Sequence, residues 1–264
     1  MKSQYRDLLC MPLSARMAAA AVVWCWLLGG TLRGGTGERG WREVKGRHFI
    51  VCYTQDATLA ETVCRKAEDW YAVITADLGY TKRDDFWTWE KRVRIYIYPT
   101  REAFMAGTGA PARAAGRSST LKREISTFAG HPEFMESVLP HELAHLVLRD
   151  FVGFDGEMPL WLNEGIAQWE EKAKRETAGR YMAALLKENR LMSLDELTRM
   201  DVGALEKSNK AAEFYAQSIS LVGYMIQRQG PEGMRKLCGQ IRDGKSLDAA
   251  LGFAYPGTIR NMNE

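Results

Sequence analysis

The run HELAH at residues 141–145 places two imidazoles and a carboxylate at a spacing that suits one metal ion. On an α-helix each residue turns by about 100°, so His141 and His145 lie about 40° apart on one face, and Glu142 lies about 60° beyond His145. Two imidazoles one turn apart can bind a single zinc ion, and the flanking carboxylate can hold a water molecule against that ion. The motif therefore indicates a site for metal-assisted hydrolysis.

The helix that carries this motif is expected to be buried, because apolar side chains surround it on nearly all sides. Burying two His and one Glu is costly unless these side chains are paired or ligate a metal. We therefore interpret HELAH as a ligand motif and not as a chance pattern. The apolar positions around it are Val138, Leu139, Leu143, Ala144, Leu146, Val147 and Leu148.

Glu164, in the run WLNEG, follows His145 after a gap of eighteen residues and is the candidate third ligand. Two Gly and one Pro within residues 151–159 predict a turn, and a second helix begins near Leu160 with Pro159 at or just before its first turn. An antiparallel pair of helices brings the two ligands together. Three protein ligands and an open fourth position are typical of catalytic zinc, whereas structural zinc usually takes four protein ligands. The alternative is a buried polar pair of helices whose His and Glu side chains hydrogen-bond each other.

Two segments resemble the gluzincin metallopeptidases, the clan of thermolysin and aminopeptidase N, and in particular its small bacterial peptidase MA-like group. They are LPHELAHLV at Leu139–Val147 and PLWLNEGIAQWEE at Pro159–Glu171, inside a weaker resemblance that runs from about residue 41 to about residue 244. The resemblance implies His141, His145 and Glu164 as zinc ligands and Glu142 as the general base. The chain lacks the glycine-containing acidic motif with which aminopeptidases grip a free α-amine, and this absence favours an endopeptidase.

The resemblance and the order of predicted elements indicate an α+β, zincin-like fold, in which a small mixed β-sheet packs on the zinc-binding helix and a helical C-terminal subdomain follows. We expect the peptidase domain to span residues 41–264, with the sheet subdomain at about 41–150 and the helical subdomain at about 151–264. Asp56 is expected to cap a helix that ends near Leu78, and Ser137 to cap the zinc-binding helix, which ends near Arg149. Predicted strands are Arg47–Tyr53, Arg94–Tyr98 and Glu124–Phe128, Gly107–Ser119 is a predicted loop, and further helices are expected at Glu102–Ala106, Lys172–Glu188, Ala211–Gln229 and Pro231–Arg242, with a capping box at Ser193–Glu196.

Tyr215 is a candidate to stabilise the oxyanion of a tetrahedral intermediate, since related gluzincins use a Tyr from their helical part in this role. An ordinary core aromatic residue is the equal alternative for Tyr215, and Tyr224 is the reserve candidate. Gln168 lies one turn after the third ligand and is a weaker candidate to hold a ligand His through its free ring nitrogen. His48 and His131 are not expected to bind the metal, because the ligand triad is already complete.

Other charged residues are interpreted as solvated surface, which is where charged side chains are usually found. Arg113, Arg117, Lys122 and Arg123 could face an acidic group of the substrate, but a solvated loop is the favoured interpretation. The mixed run Glu170–Glu176 is interpreted as a charged helix face.

The N-terminal forty residues carry the formal charge of the 264-residue chain. They hold five bases and two acids, which gives +3, so the remainder is near neutral and does not suggest a nucleic-acid surface. Residues 17–32 are uncharged, follow basic residues and precede a Gly-rich linker, as in a signal peptide or a membrane anchor. We expect export, with the zinc domain outside the cytoplasm; a buried core helix is the alternative for this segment.

Three cysteines follow that segment, namely Cys52, Cys64 and Cys238. Their odd number and the absence of a CxxC motif argue against a structural zinc site or a disulfide framework. Cys52 and Cys64 could pair in an oxidising compartment, but buried free thiols are the favoured interpretation.

These observations predict an exported or membrane-anchored zinc metallopeptidase that binds one zinc ion per chain and cleaves a peptide or protein substrate. We expect the substrate to lie extended along Glu124–Phe128, interpreted as an edge strand. The first rival is a non-peptidase hydrolase with the same metal centre, and the second is a zinc-binding module without turnover. Glu142 argues against the second, because a purely structural site does not need that carboxylate.

Overall fold

The computed structural model describes residues 40–80, 91–111, 114–153 and 158–259. The strands are β1 Arg42–Lys45, β2 Phe49–Tyr53, β3 Val93–Tyr98, β4 Arg117–Ser119 and β5 Glu124–Phe128. They form one sheet in the order β1-β2-β3-β5-β4. The inner pairs β2–β3 and β3–β5 are parallel, and the outer pairs β1–β2 and β4–β5 are antiparallel. The sheet is therefore mixed, as the sequence predicted.

Strand β5 is an inner strand, so the expectation that it forms the edge of the sheet was wrong. All of β5 pairs with β3, and Glu124 and Ser126 also pair with Ser119 and Arg117 of β4. In the described part of the chain, β4 is the edge strand on this side. It lies at the end of the predicted loop Gly107–Ser119, where Arg-Ser-Ser shows no apolar alternation that could have indicated a strand.

The helices follow the predicted pattern in most places. Asp56 caps the first helix by accepting a hydrogen bond from the Leu59 amide, and Ser193 accepts one from the Glu196 amide. The long helix near the C-terminus breaks at Gly230, which adopts a φ of 60°, as the predicted end there implied. The helices are α1 Ala57–Asp77, α2 Arg101–Thr108, α3 Leu139–Val152, α4 Leu160–Trp169, α5 Lys172–Lys187, α6 Leu194–Arg199, α7 Val202–Lys207, α8 Ala211–Arg242 and α9 Leu247–Ala254.

The start of α3 differs from the prediction. A π-helical turn at Phe134–Val138 precedes the helix, and Ser137 makes no capping hydrogen bond to it. The Ser137 hydroxyl instead donates to the carboxylate of Glu171. Helix α3 ends at Val152, beyond the predicted end at Arg149.

One buried cluster of hydrophobic side chains joins the sheet to the helices. Val51 and Ile95 contribute to it from the sheet, Leu143 from α3, and Leu162 from α4. Helix α1 packs against both β2 and α3, and α8 packs against α4. The sheet side of the molecule therefore supports α3, and α8 supports α4.

No helix within the described ranges is both long enough and apolar enough to cross a bilayer. The predicted export segment, residues 17–32, lies outside the described residues. Export accordingly stays a prediction from the sequence.

Candidate metal centre

His141 and His145 lie on the buried helix α3, and each is 2% exposed. Apolar residues before, between and after them are buried as well, which confirms the prediction that this helix is enclosed. The Nε2 atoms of the two imidazoles are 3.1 Å apart. The fold therefore turns both rings towards the same point.

The Nδ1 atom of each histidine has its own oxygen partner. Glu171 Oε1 lies 2.7 Å from His141 Nδ1, and Asn163 Oδ1 lies 3.1 Å from His145 Nδ1. Because a carboxylate or an amide oxygen only accepts, each Nδ1 carries the proton and each Nε2 keeps its lone pair. Both Nε2 atoms are thus free to ligate a metal ion.

Burial also keeps the two imidazoles neutral. It lowers the pKa of His141 below its usual value, against the raising effect of Glu171, and it lowers the pKa of His145 to about 4. Neutral imidazole is the form that binds a metal. The histidines are therefore ready for ligation at neutral pH.

Glu164 of α4 completes the cluster. Its carboxylate oxygens lie 3.9 Å from His141 Nε2 and 3.7 Å from His145 Nε2, and one ligand atom from each residue falls within 4.8 Å of the others. A tetrahedral ion with bonds of about 2.0–2.1 Å separates its ligands by about 3.3 Å. The donor types and their spacing fit a zinc ion, with one position left for another ligand.

Gly165 lets α4 approach α8 closely enough to place Glu164. A Cβ atom on Gly165 would lie 2.5 Å from the backbone oxygen of Ser218, and closer than 3.0 Å to Val222 as well. Helices that meet at such a small residue have little freedom to slide. The contact therefore fixes the position of Glu164, along the axis of α4, opposite the two histidines.

Glu142 is fully buried beside the ligands, yet neither of its carboxylate oxygens has a hydrogen-bond partner among the described residues. Burial raises its pKa to about 8. The Ser118 hydroxyl of β4 lies near enough to lower that pKa, but no hydrogen bond of normal geometry joins the two side chains. A buried carboxylate without partners is costly, and one that awaits a water or a substrate group is a candidate catalytic group.

Glu171 connects the cluster to two further elements. Its carboxylate accepts from Ser137 and lies 2.6 Å from Lys174 Nζ, in addition to its bond with His141. Burial raises its pKa, but the hydrogen bond with His141 and the charge of Lys174 outweigh this effect and lower the pKa to about 2. Glu171 is therefore a carboxylate that orients His141, and the interpretation of its region as a charged surface was wrong for this residue and for the buried Glu170.

A cavity of about 550 Å³ opens from the cluster. His145, Glu164 and Tyr215 line it, together with residues of α6, α7 and the segment between them. Burial and the charge of Glu164 raise the pKa of Tyr215, so its hydroxyl stays protonated at neutral pH. Tyr215 thus lies where the sequence placed a candidate hydrogen-bond donor.

The other candidates lie elsewhere. Tyr224 is 41% exposed, does not line the cavity, and has the guanidinium of Arg228 over its ring. Gln168 is buried, but the partners of the ligand histidines are Glu171 and Asn163, so the weaker proposal for Gln168 was wrong. Both actual partners lie in the run WLNEGIAQWEE, Asn163 one residue before the third ligand and Glu171 seven residues after it, but the run itself does not mark them as partners.

His48 and His131 stand apart from the candidate ligand group of the described residues. His48 Nδ1 lies 2.6 Å from the carboxylate of Glu68, and His131 Nδ1 accepts a hydrogen bond from the Glu133 amide. Both observations agree with the prediction that neither histidine is a ligand.

Two of the basic residues that precede β5 are engaged in the structure of the fold. Arg117 donates to the backbone oxygen of Thr108, and Arg123 forms an ion pair of 2.7 Å with Asp150. Arg113 lies outside the described residues.

The three cysteines of the described ranges are free and buried. The alternative of a bond between Cys52 and Cys64 was therefore wrong, and the favoured interpretation of Cys52, Cys64 and Cys238 as buried thiols is confirmed.

Fold and cluster together define an α+β protein with a buried His-His-Glu group that can hold a metal ion. The chain belongs to the Peptidase MA superfamily, whose family model matches residues 82–264. A search of curated proteins found no match. The matched segment contains all three predicted ligands, while β1, β2 and α1 precede it and complete the sheet and its packing. Membership of this superfamily indicates a peptidase.

Proposed function

We propose that this protein is a zinc-dependent metallopeptidase that cleaves internal peptide bonds. The observation that carries the proposal is the convergence of His141, His145 and Glu164 beside a carboxylate, Glu142, that has no partner in the described part of the chain. Three ligands and an open position characterise catalytic zinc. The superfamily supports the peptidase class, and the donor set supports the metal.

Glu142 acts as the general base in this proposal. A zinc ion held by the three ligands would polarise the scissile carbonyl and acidify a water molecule. Glu142 takes a proton from the attacking water and delivers it to the leaving amine. Both of its carboxylate oxygens lack a hydrogen-bond partner among the described residues, so they are available for this transfer.

Tyr215 donates a hydrogen bond to the developing oxyanion. Its position in the same cavity as His145 and Glu164 supports this role, and its raised pKa keeps the proton on the hydroxyl. A preorganised donor of this kind is typically worth about 10²–10³-fold in rate.

The substrate backbone pairs with β4 and not with β5. Two observations support this assignment: β4 is the edge strand of the described sheet, and Thr120, immediately after it, lines the cavity beside the metal cluster. Strand addition holds a peptide through its backbone and needs no free α-amine. Internal bonds are thus accessible to the site.

We also propose export, with residues 17–32 as the signal peptide or anchor. Fractionation of cells that express the full chain should place it outside the cytoplasm, and deletion of residues 1–39 should retain it inside. Equal distribution of the two forms would contradict export.

The decisive experiment measures zinc content and peptide cleavage on the same preparation. Wild type should hold one zinc per chain and cut library peptides with both free and blocked N-termini, while Glu142→Gln should hold zinc and cut neither. Zinc without peptide cleavage would indicate a silent binding module, and hydrolysis of esters alone would indicate a non-peptidase hydrolase. Cleavage restricted to free N-terminal residues would contradict the endopeptidase assignment.

A further inference from the structure

Strand β4 carries a buried hydroxyl group next to the proposed base. Ser118, the middle residue of β4, is 3% exposed, and its Oγ atom has no hydrogen-bond partner among the described residues. Both carboxylate oxygens of the fully buried Glu142 likewise lack a partner there. The hydroxyl lies close enough to this carboxylate to favour its charged form, although no hydrogen bond of normal geometry joins the two side chains. A free donor and a free acceptor are therefore buried side by side.

The pairing of β4 with β5 points the Ser118 side chain towards α3. Ser118 lies opposite Ile125 of β5, and residues opposite each other in an antiparallel pair share one face of the sheet. Ile125 is fully buried in the cluster that also contains Leu143 of α3. The two other residues of β4 are less buried, as expected when side chains alternate along a strand. Ser118 thus faces the helix that carries the base.

Two contacts fix the position of β4 relative to the start of α3. A Cβ atom on Gly116, the residue before β4, would lie 2.5 Å from Cγ1 of Val138, the residue before α3. Thr127 of β5 donates a hydrogen bond of 3.2 Å to the backbone oxygen of Ala115, where the chain enters β4. Because packing this close resists displacement, the strand has little freedom to move away from the helix.

A hydrogen bond between Ser118 and Glu142 is within reach of small side-chain movements. Leaving a buried donor and a buried acceptor both unpaired is costly, and each of these groups can satisfy the other. The hydroxyl hydrogen rotates freely, and a serine side chain can change between staggered positions while the backbone stays in place. Ser118 does not line the cavity beside the metal cluster, whereas Thr120 does. The Ser118 hydroxyl is therefore placed to act on the base and not on a bound peptide.

We propose that Ser118 is a positioning residue for the general base. In the zinc-loaded protein its hydroxyl donates a hydrogen bond to one carboxylate oxygen of Glu142 and leaves the other oxygen to take the proton of the attacking water. This inference rests on the proposed peptidase function, because it names the group that orients the base of that reaction. Since β4 is also the proposed partner of the substrate backbone, Ser118 ties the orientation of the base to the strand that aligns the peptide.

The kinetic test compares variants of the zinc-loaded full chain. Ser118→Ala should lower kcat by about 10–100-fold, because a carboxylate that is no longer held is less often aligned with the water. KM should change by less than about twofold and zinc content should stay the same, since no substrate contact and no ligand is removed. Ser118→Thr keeps the hydroxyl and should retain most of the wild-type kcat.

Ser126→Ala is the matched control. Ser126 is a buried serine of the neighbouring strand β5, and it follows Ile125, so its side chain points to the face opposite α3. This variant should keep the wild-type kcat. An equal kcat in Ser118→Ala and Ser126→Ala would overturn the inference, and so would a Ser118→Thr protein of wild-type thermal stability that is as slow as Ser118→Ala.

A double-mutant cycle shows whether Ser118 acts through Glu142. In the Glu142→Gln background, Ser118→Ala should change the residual kcat by less than about twofold, because the base that it orients has already been removed. A fall as large as the one in the wild-type background would show that Ser118 acts by another route and would contradict the positioning role.

A crystal structure of the zinc-loaded full chain separates this inference from the proposed function. Ser118 Oγ should lie within about 3.0 Å of a Glu142 oxygen, whether or not the preparation cuts peptides. This hydrogen bond in a wild-type protein without peptidase activity would refute the proposed function alone. Peptide cleavage by a protein whose Ser118 Oγ lies more than about 3.5 Å from both Glu142 oxygens would refute the positioning role alone.

Discussion

Glu142 differs from the two histidines beside it in what surrounds its polar atoms. Each histidine has a hydrogen-bond partner on Nδ1, whereas both oxygens of Glu142 lack one among the described side chains. A buried polar group with a purely structural role normally has a hydrogen-bond partner. A group that must exchange a proton with water or substrate needs atoms that no protein group occupies. The presence or absence of hydrogen-bond partners therefore distinguishes the two proposed ligand histidines from the proposed base.

Replacement of Glu142 by Gln should leave zinc bound and lower kcat by about 10²–10⁴-fold with little change in KM, because the base is lost and the ligands stay. Tyr215→Phe should lose about 10²–10³-fold, and Glu164→Gln should lose both metal and activity. Metal analysis and steady-state kinetics on the three variants test this order. Wild-type turnover in Glu142→Gln would exclude the mechanism.

Glu171→Gln should weaken zinc binding by about 10–100-fold, because the carboxylate no longer orients His141 and strengthens its basicity. The neighbouring Glu170→Gln is a matched control, since Glu170 is also buried but does not contact a ligand in the described residues. Competition with a chromogenic chelator measures both affinities. Equal affinities in the two variants would show that Glu171 is not a positioning residue.

Glu170 should make the protein less stable as the pH rises from about 4.5 to about 8. Burial, followed by the nearby charge of Asp77, raises its pKa from the usual value of 4.5 to about 8, so the folded state holds a proton that the unfolded state releases. The stabilising contribution of this proton on Glu170 is complete below pH 4.5 and is lost by pH 8. The free energy of unfolding of Glu170→Gln should equal that of wild type at pH 4.5 and exceed it at pH 8 by on the order of 4 kcal/mol, as measured by urea unfolding. A difference that does not grow with pH would contradict this assignment.

The ligands could be predicted from the sequence because their spacing on two helices is set by local geometry alone. Glu171 could not, since it ends the WLNEGIAQWEE run just before α5 and has the same local pattern as a solvated charge. Its burial depends on the π-helical turn that brings Ser137 towards it. A contact between residues 34 positions apart is a tertiary fact that spacing cannot show.

At the scale of elements, the contact between α4 and α8 positions the third ligand. Gly165→Ala should destabilise the fold by about 1–3 kcal/mol and weaken zinc binding, because the new methyl group overlaps the Ser218 backbone and pushes Glu164 outward.

Gly179→Ala on α5 is the control, since no atom lies within 4 Å of the added methyl group. It should stabilise the helix by about 0.5–1 kcal/mol. Thermal unfolding and zinc titration of both variants check the pair. A Gly165→Ala protein as stable as Gly179→Ala would show that the helices can separate without cost.

Elements with a strong local signal could be predicted, and weak edge elements could not. Helix α1 and strand β3 have regular apolar periodicity and a clear cap or stop, and both were predicted within a few residues. The edge strands β1 and β4 have the sequences Arg-Glu-Val-Lys and Arg-Ser-Ser, which are too polar and too short to indicate a strand. They are strands because β1 pairs with β2 and β4 pairs with β5. The second pairing makes β5 an inner strand.

At the scale of the whole molecule, the predicted sheet and helical parts share one hydrophobic core. Phe49, from the segment that precedes the superfamily match, lies in the same buried cluster as Leu237 of α8. Side chains from distant parts of the sequence therefore depend on each other for burial. Loss of either part should expose the other, so unfolding should be cooperative.

The rates at which the three buried thiols react with an alkylating reagent report how often the folded protein opens. Burial raises the pKa of Cys52 and of Cys64, and it raises that of Cys238 to about 12, so the native protein offers little thiolate to an alkylating reagent. Modification must wait for the chain to open, and β2, α1 and α8 each carry one reporter. Zinc at 100 times its Kd should slow all three modifications together by about 100-fold, as read by peptide mass spectrometry. A single thiol that reacts at an unchanged rate would identify an element that opens on its own.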